Sequence, residues 1–198
     1  MADHSDKVAP HLHISMQSGS DSVLRRMRRR WGSQRFIDRC RLLQERLEQP
    51  AITTDIIVGF PGETDAEFEE TRHMIEDLPF TYLHVFTFSV RPGTPAASMA
   101  NQVPVRVARA RNQILRELAD VKKQAFMRSF AGRELDAITL NVTSQDSGGI
   151  WTEALTDNYL KLRLRGNHAP NQWLQARITG VEGGELLGEA HLIERSCA

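Results

Sequence analysis

Apolar residues recur in this chain with two different periods, and the change between them constrains the fold more than any other feature. Up to Phe130-Ala131-Gly132, stripes at three-or-four spacing alternate with short β-branched runs; beyond it, apolar and polar positions alternate one by one. Helical stripes between extended runs are the mark of β-α units around parallel strands. Five short alternating runs with Gly-rich turns, near 134–142, 150–155, 159–165, 173–181 and 185–193, point instead to a small all-β barrel. The expectation is an α/β domain over 1–130 followed by a barrel over 131–198. A chain of 198 residues is long enough for both to bury a core.

Within the first region, HLHIS at 11–15 predicts a strand that runs through Gln17-Ser18-Gly19-Ser20 into a short helix near 21–28, with Ser20 as its N-cap. A second helix begins near Ser33, with Phe36, Ile37, Cys40, Leu43 and Leu47 as its buried stripe. ITTDIIV at 52–58 reads as a strand covered on both faces. Thr64 and Glu67 form a capping box for a helix whose inner face is Phe68, Thr71, Ile75 and Leu78. YLHVFTF at 82–88 predicts another strand, and Pro104 opens a long helix with the stripe Val107, Arg111, Ile114, Leu118, Val121 and Ala125.

Composition removes several function classes. The 25 Lys and Arg balance the 25 Asp and Glu, so no overall field recommends nucleic acid or an anionic membrane; only local clustering argues for either. No apolar run reaches the roughly 18 to 20 residues of a membrane helix. The opening MADHSDK has no apolar signal region, so the expected location is cytoplasmic. Two cysteines, Cys40 and Cys197, make no disulfide framework and cannot supply the ligands of a structural zinc or iron–sulfur site.

Local clusters carry the chemistry. His11 and His13 share a strand face and could in principle hold a metal, but no third ligand is evident in the sequence, and the reading preferred over a metal is a strand whose polar side chains line a cavity. Gln17 and Ser18 stand where strand becomes loop, the usual binding position in parallel α/β domains. The run Arg25-Arg26-Met27-Arg28-Arg29-Arg30 suits phosphate or carboxylate, or forms a solvated helix face. Asp55 interrupts an apolar strand, where a carboxylate needs a donor or a cation. In Tyr159-Leu160-Lys161-Leu162-Arg163-Leu164-Arg165, strict alternation puts the leucines inside and Tyr159, Lys161, Arg163 and Arg165 outside. Such a stripe, extended by Trp151, Trp173 and Arg177, suits a nucleic-acid backbone and a stacked base, or is an ordinary polar strand face.

Four stretches taken together, HLHISMQSGSDSVLRRMRR, TDIIVGFPGETDAEFEET, FSVRPGTPAASM and TDNYLKLRL, resemble the methylthiotransferases of the radical S-adenosylmethionine superfamily, especially the branch acting on threonylcarbamoyladenosine beside the tRNA anticodon. The resemblance implies the later strands of an incomplete TIM-like barrel, then a TRAM domain, a small OB-like RNA-binding barrel. It implies cofactor contacts at Gln17, Ser18, Arg29 and Asp55, and a tRNA grip at Tyr159, Lys161, Arg163 and Arg165. Family members reductively cleave S-adenosylmethionine on a [4Fe–4S] cluster held by a CxxxCxxC motif, which this chain lacks. The expectation is a C-terminal portion of a longer enzyme, with Met1 inside the parent protein, a missing or separate cysteine-bearing half as partner, and tRNA as substrate. The alternative is a non-catalytic RNA-binding module. An open half barrel also predicts that the edge strand HLHIS makes the isolated chain oligomeric or poorly soluble.

Overall fold

The computed structural model describes residues 8–191. The chain divides into two compact units: Leu12–Lys123 make the first, and Gln124 onward, with the segment ending at His11, makes the second.

The first unit takes in β1 (His11–His13) from Leu12 on, α1 (Asp21–Arg26), α2 (Ser33–Arg46), β2 (Ala51–Val58), α3 (Asp65–Asp77), β3 (Phe80–Thr87) and α4 (Val105–Arg128) as far as Lys123. The strands form one sheet in the order β1-β2-β3. β2 and β3 are parallel, with Asp55 opposite His84, and a parallel bridge from Gln17 to Ile56 extends the pairing beyond β1. One face of the sheet presents Ile52, Ile56, Val58 and Leu83 to Phe36 and Cys40 of α2, Phe68 and Ile75 of α3, and Leu115 and Ala119 of α4. Burying each such side chain is worth about 1.5 to 3 kcal/mol, which is what holds three helices on that face. The other face is open: Tyr82 and Phe86 are exposed on either side of His84.

Local detail follows the sequence closely at some points and departs at others. Thr64 and Glu67 make the capping box in full, each side chain satisfying the other's backbone N–H. Ser20 stands at the N-cap of α1 without a side-chain cap bond; its hydroxyl meets that of Ser22 instead. β1 ends at His13 rather than Ser15, and β3 starts at Phe80, two residues before Tyr82. The stripe of α4 is also turned. Ala108, Arg111, Leu115 and Ala119 are buried, whereas Ile114 and Val121 are exposed. Arg111 sets that rotation, pairing with the buried Glu63 carboxylate at 2.7 Å and with Asp65 at 2.6 Å. Once Arg111 faces inward, the residues three before and four after it must follow. The turn after β2 is equally constrained, for Gly59 has φ +75° and a Cβ there would come within 2.6 Å of the Ala108 Cβ.

The second unit is a closed barrel of β4 (Glu134–Asp146), β5 (Gly149–Thr156), β6 (Lys161–Arg165), β7 (Trp173–Glu182) and β8 (Glu185–His191), in the order β4-β5-β6-β8-β7 with β7 paired back to β4. Only β6 and β8 pair in parallel. Leu162, Leu164, Leu174, Ile178 and Leu186 fill the interior, and Met127 and Phe130 join them. Closure leaves no strand edge to template further pairing.

Candidate functional site

Three places hold the side chains that the sequence singled out. The first is the loop that follows β1. Gln17 has φ +72°, a left-handed conformation that costs a non-glycine residue on the order of 1 kcal/mol or more and that clusters at functional sites. The loop is locked regardless: the Gln17 N–H donates to the Asp55 carbonyl at 2.8 Å, and its carbonyl accepts from the Ile57 N–H at 2.9 Å. The Gln17 side chain lines a cavity of about 530 Å³ together with Arg26, Arg29, Ile57, Phe60 and Phe88. Apolar walls with a few placed polar groups are the usual build of a small-molecule site.

Arg26 gives that cavity its rigid wall. Its two terminal nitrogens donate to the two Glu67 carboxylate oxygens at 3.0 and 2.7 Å, and one donates also to the Gly62 carbonyl at 3.2 Å. Arg26 together with the Ser22 hydroxyl pulls the Glu67 carboxyl down to about 2. The Arg26 Nε–H is buried and has no partner among the described residues. A buried donor without an acceptor costs about 1 to 3 kcal/mol, and here it lies in a residue of the cavity wall. Arg29 stands 5.5 Å over the Trp31 ring.

Ser18 and Asp55 lie elsewhere. Ser18 is fully buried, its hydroxyl 3.2 Å from that of Thr71 and accepting from the Ser20 N–H at 3.2 Å, so it joins the loop to α3. Asp55 points to the open face of the sheet, where the His13 Nε2 lies 3.2 Å from its carboxylate. That is the second place. The third ligand-type residue absent from the HLH segment stands on β3: His84 is in register with Asp55, and donor atoms of His13, Asp55 and His84 lie within 4.8 Å of one another. Spacing along the chain holds no signal for that meeting, because register between distant strands is set by the fold.

The third place is the barrel surface. Leu160, Leu162 and Leu164 are buried as alternation requires. Lys161 and Arg165 are exposed, and the Lys161 ammonium comes to 3.8 Å from Glu185. Arg163 is engaged: it donates to Asp146 at 2.5 Å and lies 4.8 Å over the Trp151 ring, whose Nε1–H also reaches Asp146 at 2.9 Å. Arg163 holds the Asp146 carboxyl down to about 2. Tyr159 is not on the strand. It occupies a tight turn with φ +63°, its N–H donating to the Thr156 carbonyl at 2.9 Å, and its ring is exposed. Trp173 and Arg177 share the outward face of β7, opposite the buried Leu174, Ala176 and Ile178. Sequence reasoning missed Asp146, a lone acid at the end of a strand whose partner comes from another.

Among the described residues no helix is long and apolar enough to cross a membrane. Cys40 is buried, and burial pushes its thiol up to about 11; Cys197 lies outside the described residues.

Comparison with known proteins adds the following. The sequence profile of the radical SAM superfamily matches residues 2–75. The threonylcarbamoyladenosine tRNA methylthiotransferase of Bacillus subtilis is 41% identical over 164 residues, which is 83% of this chain and 36% of that protein. Its counterpart in Treponema pallidum is 39% identical over 183 residues, 91% of this chain and 36% of that protein. The tRNA-2-methylthio-N(6)-dimethylallyladenosine synthase of Thermobifida fusca is 46% identical over 131 residues, 66% of this chain and 26% of that protein. The chain spans about a third of the length of the curated relatives it matches.

Proposed function

This chain belongs to the radical S-adenosylmethionine methylthiotransferase family, and from that premise we propose that it supplies part of the cofactor pocket and the tRNA grip of an enzyme that adds a methylthio group to N6-threonylcarbamoyladenosine beside the anticodon. Residues 1–130 serve as a partial radical SAM barrel and 131–198 as a TRAM-like RNA-binding barrel. The cavity beside Gln17 carries the reading. It offers the strained Gln17 and the Arg29 guanidinium to a ligand rich in acceptors, and Phe60 and Phe88 to a flat heterocycle. S-adenosylmethionine has both parts, and when bound it supplies the radical chemistry of the transfer. Gln17 and Arg29 would contact it directly, Ser18 would position the loop through Thr71, and Asp55 would face the reaction side of the sheet.

The iron–sulfur cluster is a different case. A [4Fe–4S] cluster takes three thiolates at least, and two cysteines, one of them buried with a raised thiol, do not fit it. A cysteine-bearing half from another polypeptide segment is therefore the partner this reading requires. On the barrel, Lys161, Arg163 and Arg165 would track phosphates and Tyr159 would stack on a base.

The test is to produce the chain together with the cysteine-bearing segment of a relative and to analyse tRNA nucleosides by mass spectrometry. A 2-methylthio-threonylcarbamoyl product that disappears with Gln17→Ala is the expected result. A 2-methylthio-dimethylallyl product instead would move the chain to the other substrate. The missing thiolates favour a second reading, an RNA-binding module without catalysis. That reading gains if no methylthiolated adenosine forms while the chain still binds anticodon stem-loops, and if Lys161→Ala, Arg163→Ala and Arg165→Ala together abolish that binding.

A further inference from the structure

We propose that His13, Asp55 and His84 form a binding site for a divalent first-row transition-metal ion on the open face of the three-stranded sheet. The three residues come from three neighbouring strands, with Asp55 and His84 paired in the β2-β3 register and His13 reaching Asp55 from β1. The His13 Nε2 is 3.2 Å from the Asp55 carboxylate, the His13 and His84 ring centroids are 6.0 Å apart, and one donor atom from each residue lies within 4.8 Å of the other two. A four-coordinate ion with bonds near 2.0 Å keeps its donors about 3.3 Å apart. Swinging one exposed imidazole inward by about 1.5 Å closes the difference, a motion within the reach of a single χ rotation.

The donor set is selective. Two imidazoles and a carboxylate suit zinc, cobalt, nickel or ferrous iron, whereas magnesium and calcium take oxygen alone. The His13 ring can adopt the tautomer that such a ligand needs. With its proton on Nδ1, the His13 ring donates to the Thr53 hydroxyl oxygen at 3.1 Å and turns the Nε2 lone pair toward Asp55. In that state two acceptors face each other at 3.2 Å, an arrangement that a cation between them relieves. Tyr82 packs edge-on against the His84 ring at 4.9 Å and Phe86 stacks at 6.4 Å, so the imidazole stays on this face of the sheet. His13 and Asp55 keep 39% and 29% of their side chains exposed, which leaves an ion free to enter and to keep water in its remaining positions. Three protein ligands with an open position is the pattern of a reactive site rather than a structural one. The site is separate from the Gln17 cavity and does not depend on the proposed function.

Equilibrium dialysis of the full chain against Zn2+, with Co2+ absorption as a second readout, tests the assignment. The expected result is saturable binding of about one ion per chain, and cobalt bands of a nitrogen- and oxygen-ligated ion. His13→Ala, Asp55→Asn and His84→Ala should each weaken binding at least about tenfold, the lower end of what loss of an outer-shell partner alone costs. Thr53→Ala should weaken it less than any of the three. His73→Ala, on the exposed side of α3, should leave it unchanged. His84 is exposed, so its variant should keep the fold, which circular dichroism on the same samples checks. No saturable binding, binding that survives His84→Ala, or a thiolate charge-transfer band from Cys40 would overturn the site.

Discussion

The two units solve the same problem in opposite ways. In the first, the sheet buries one face under three helices and leaves the other, with its edges, to solvent. In the second, the sheet closes on itself, so interior and exterior are separated by alternation alone. The difference teaches where each can carry chemistry. An open sheet places side chains from several strands side by side on an accessible surface, as with His13, Asp55 and His84. A small closed barrel fills its interior with leucines and has only its outer surface to offer, which suits an extended polymer better than a small molecule.

The largest test of that contrast is Arg111→Ala. It leaves the Glu63 carboxylate, already pushed up by burial, uncompensated between α4 and the turn after β2. Breaking such a pair costs roughly 3 to 5 kcal/mol. Hydrogen exchange should show lost protection in β2, α3 and α4 with β5 and β7 unaffected; equal loss in the barrel would mean that the units unfold as one. Leu162→Ala tests the reverse, removing about 3 kcal/mol from the barrel core, where a closed wall has little room to collapse into the cavity. Here β5 and β7 should lose protection first.

A smaller effect, about 1 kcal/mol, is expected for Thr64→Ala at the cap of α3. The same corner has a pH signature. The folded Glu67 carboxyl sits at about 2 against an ordinary 4.5, chiefly through Arg26. Its contribution is therefore complete above about 4.5 and is lost as pH falls through about 2, so acid should loosen the first unit in that window. An Arg26→Met variant should lack that component of the acid transition. The smallest change is expected for Asp146→Asn, which frees Arg163 from its carboxylate. RNA affinity should rise a few-fold at low salt, with the salt slope steeper by about one phosphate contact. An unaltered slope would show that Arg163 does not meet the backbone.

Much of this was legible in the residues. The capping box, the buried leucines of β6 and the change of period into the barrel depend on neighbours within four positions, and each appears in the structure. What could not be read depends on partners far along the chain. Arg111 counted as an apolar stem in a stripe, yet its ion pairs with Glu63 and Asp65 turn α4 by about one residue. Tyr159 continued the alternation of β6 on paper, but the turn that starts the strand takes it out of line. Of the residues expected around one cofactor, Gln17 and Arg29 share a cavity, while Ser18 and Asp55 point into different surroundings. A strand-to-loop junction sends successive side chains in different directions, and sequence proximity hides that.

The strand order of the barrel also bears on how the protein is made. β8 lies between β6 and β7 and pairs with both, so the last of the five barrel strands to leave the ribosome is the one that completes the ring. Until it emerges, the nascent chain exposes two unpaired borders on β6 and β7, and the leucines behind them stay within reach of chaperones and proteases. Translation errors upstream of Glu185 that end the chain early would thus yield an open ribbon exposed to removal, and only chains carried through β8 would hide the barrel interior.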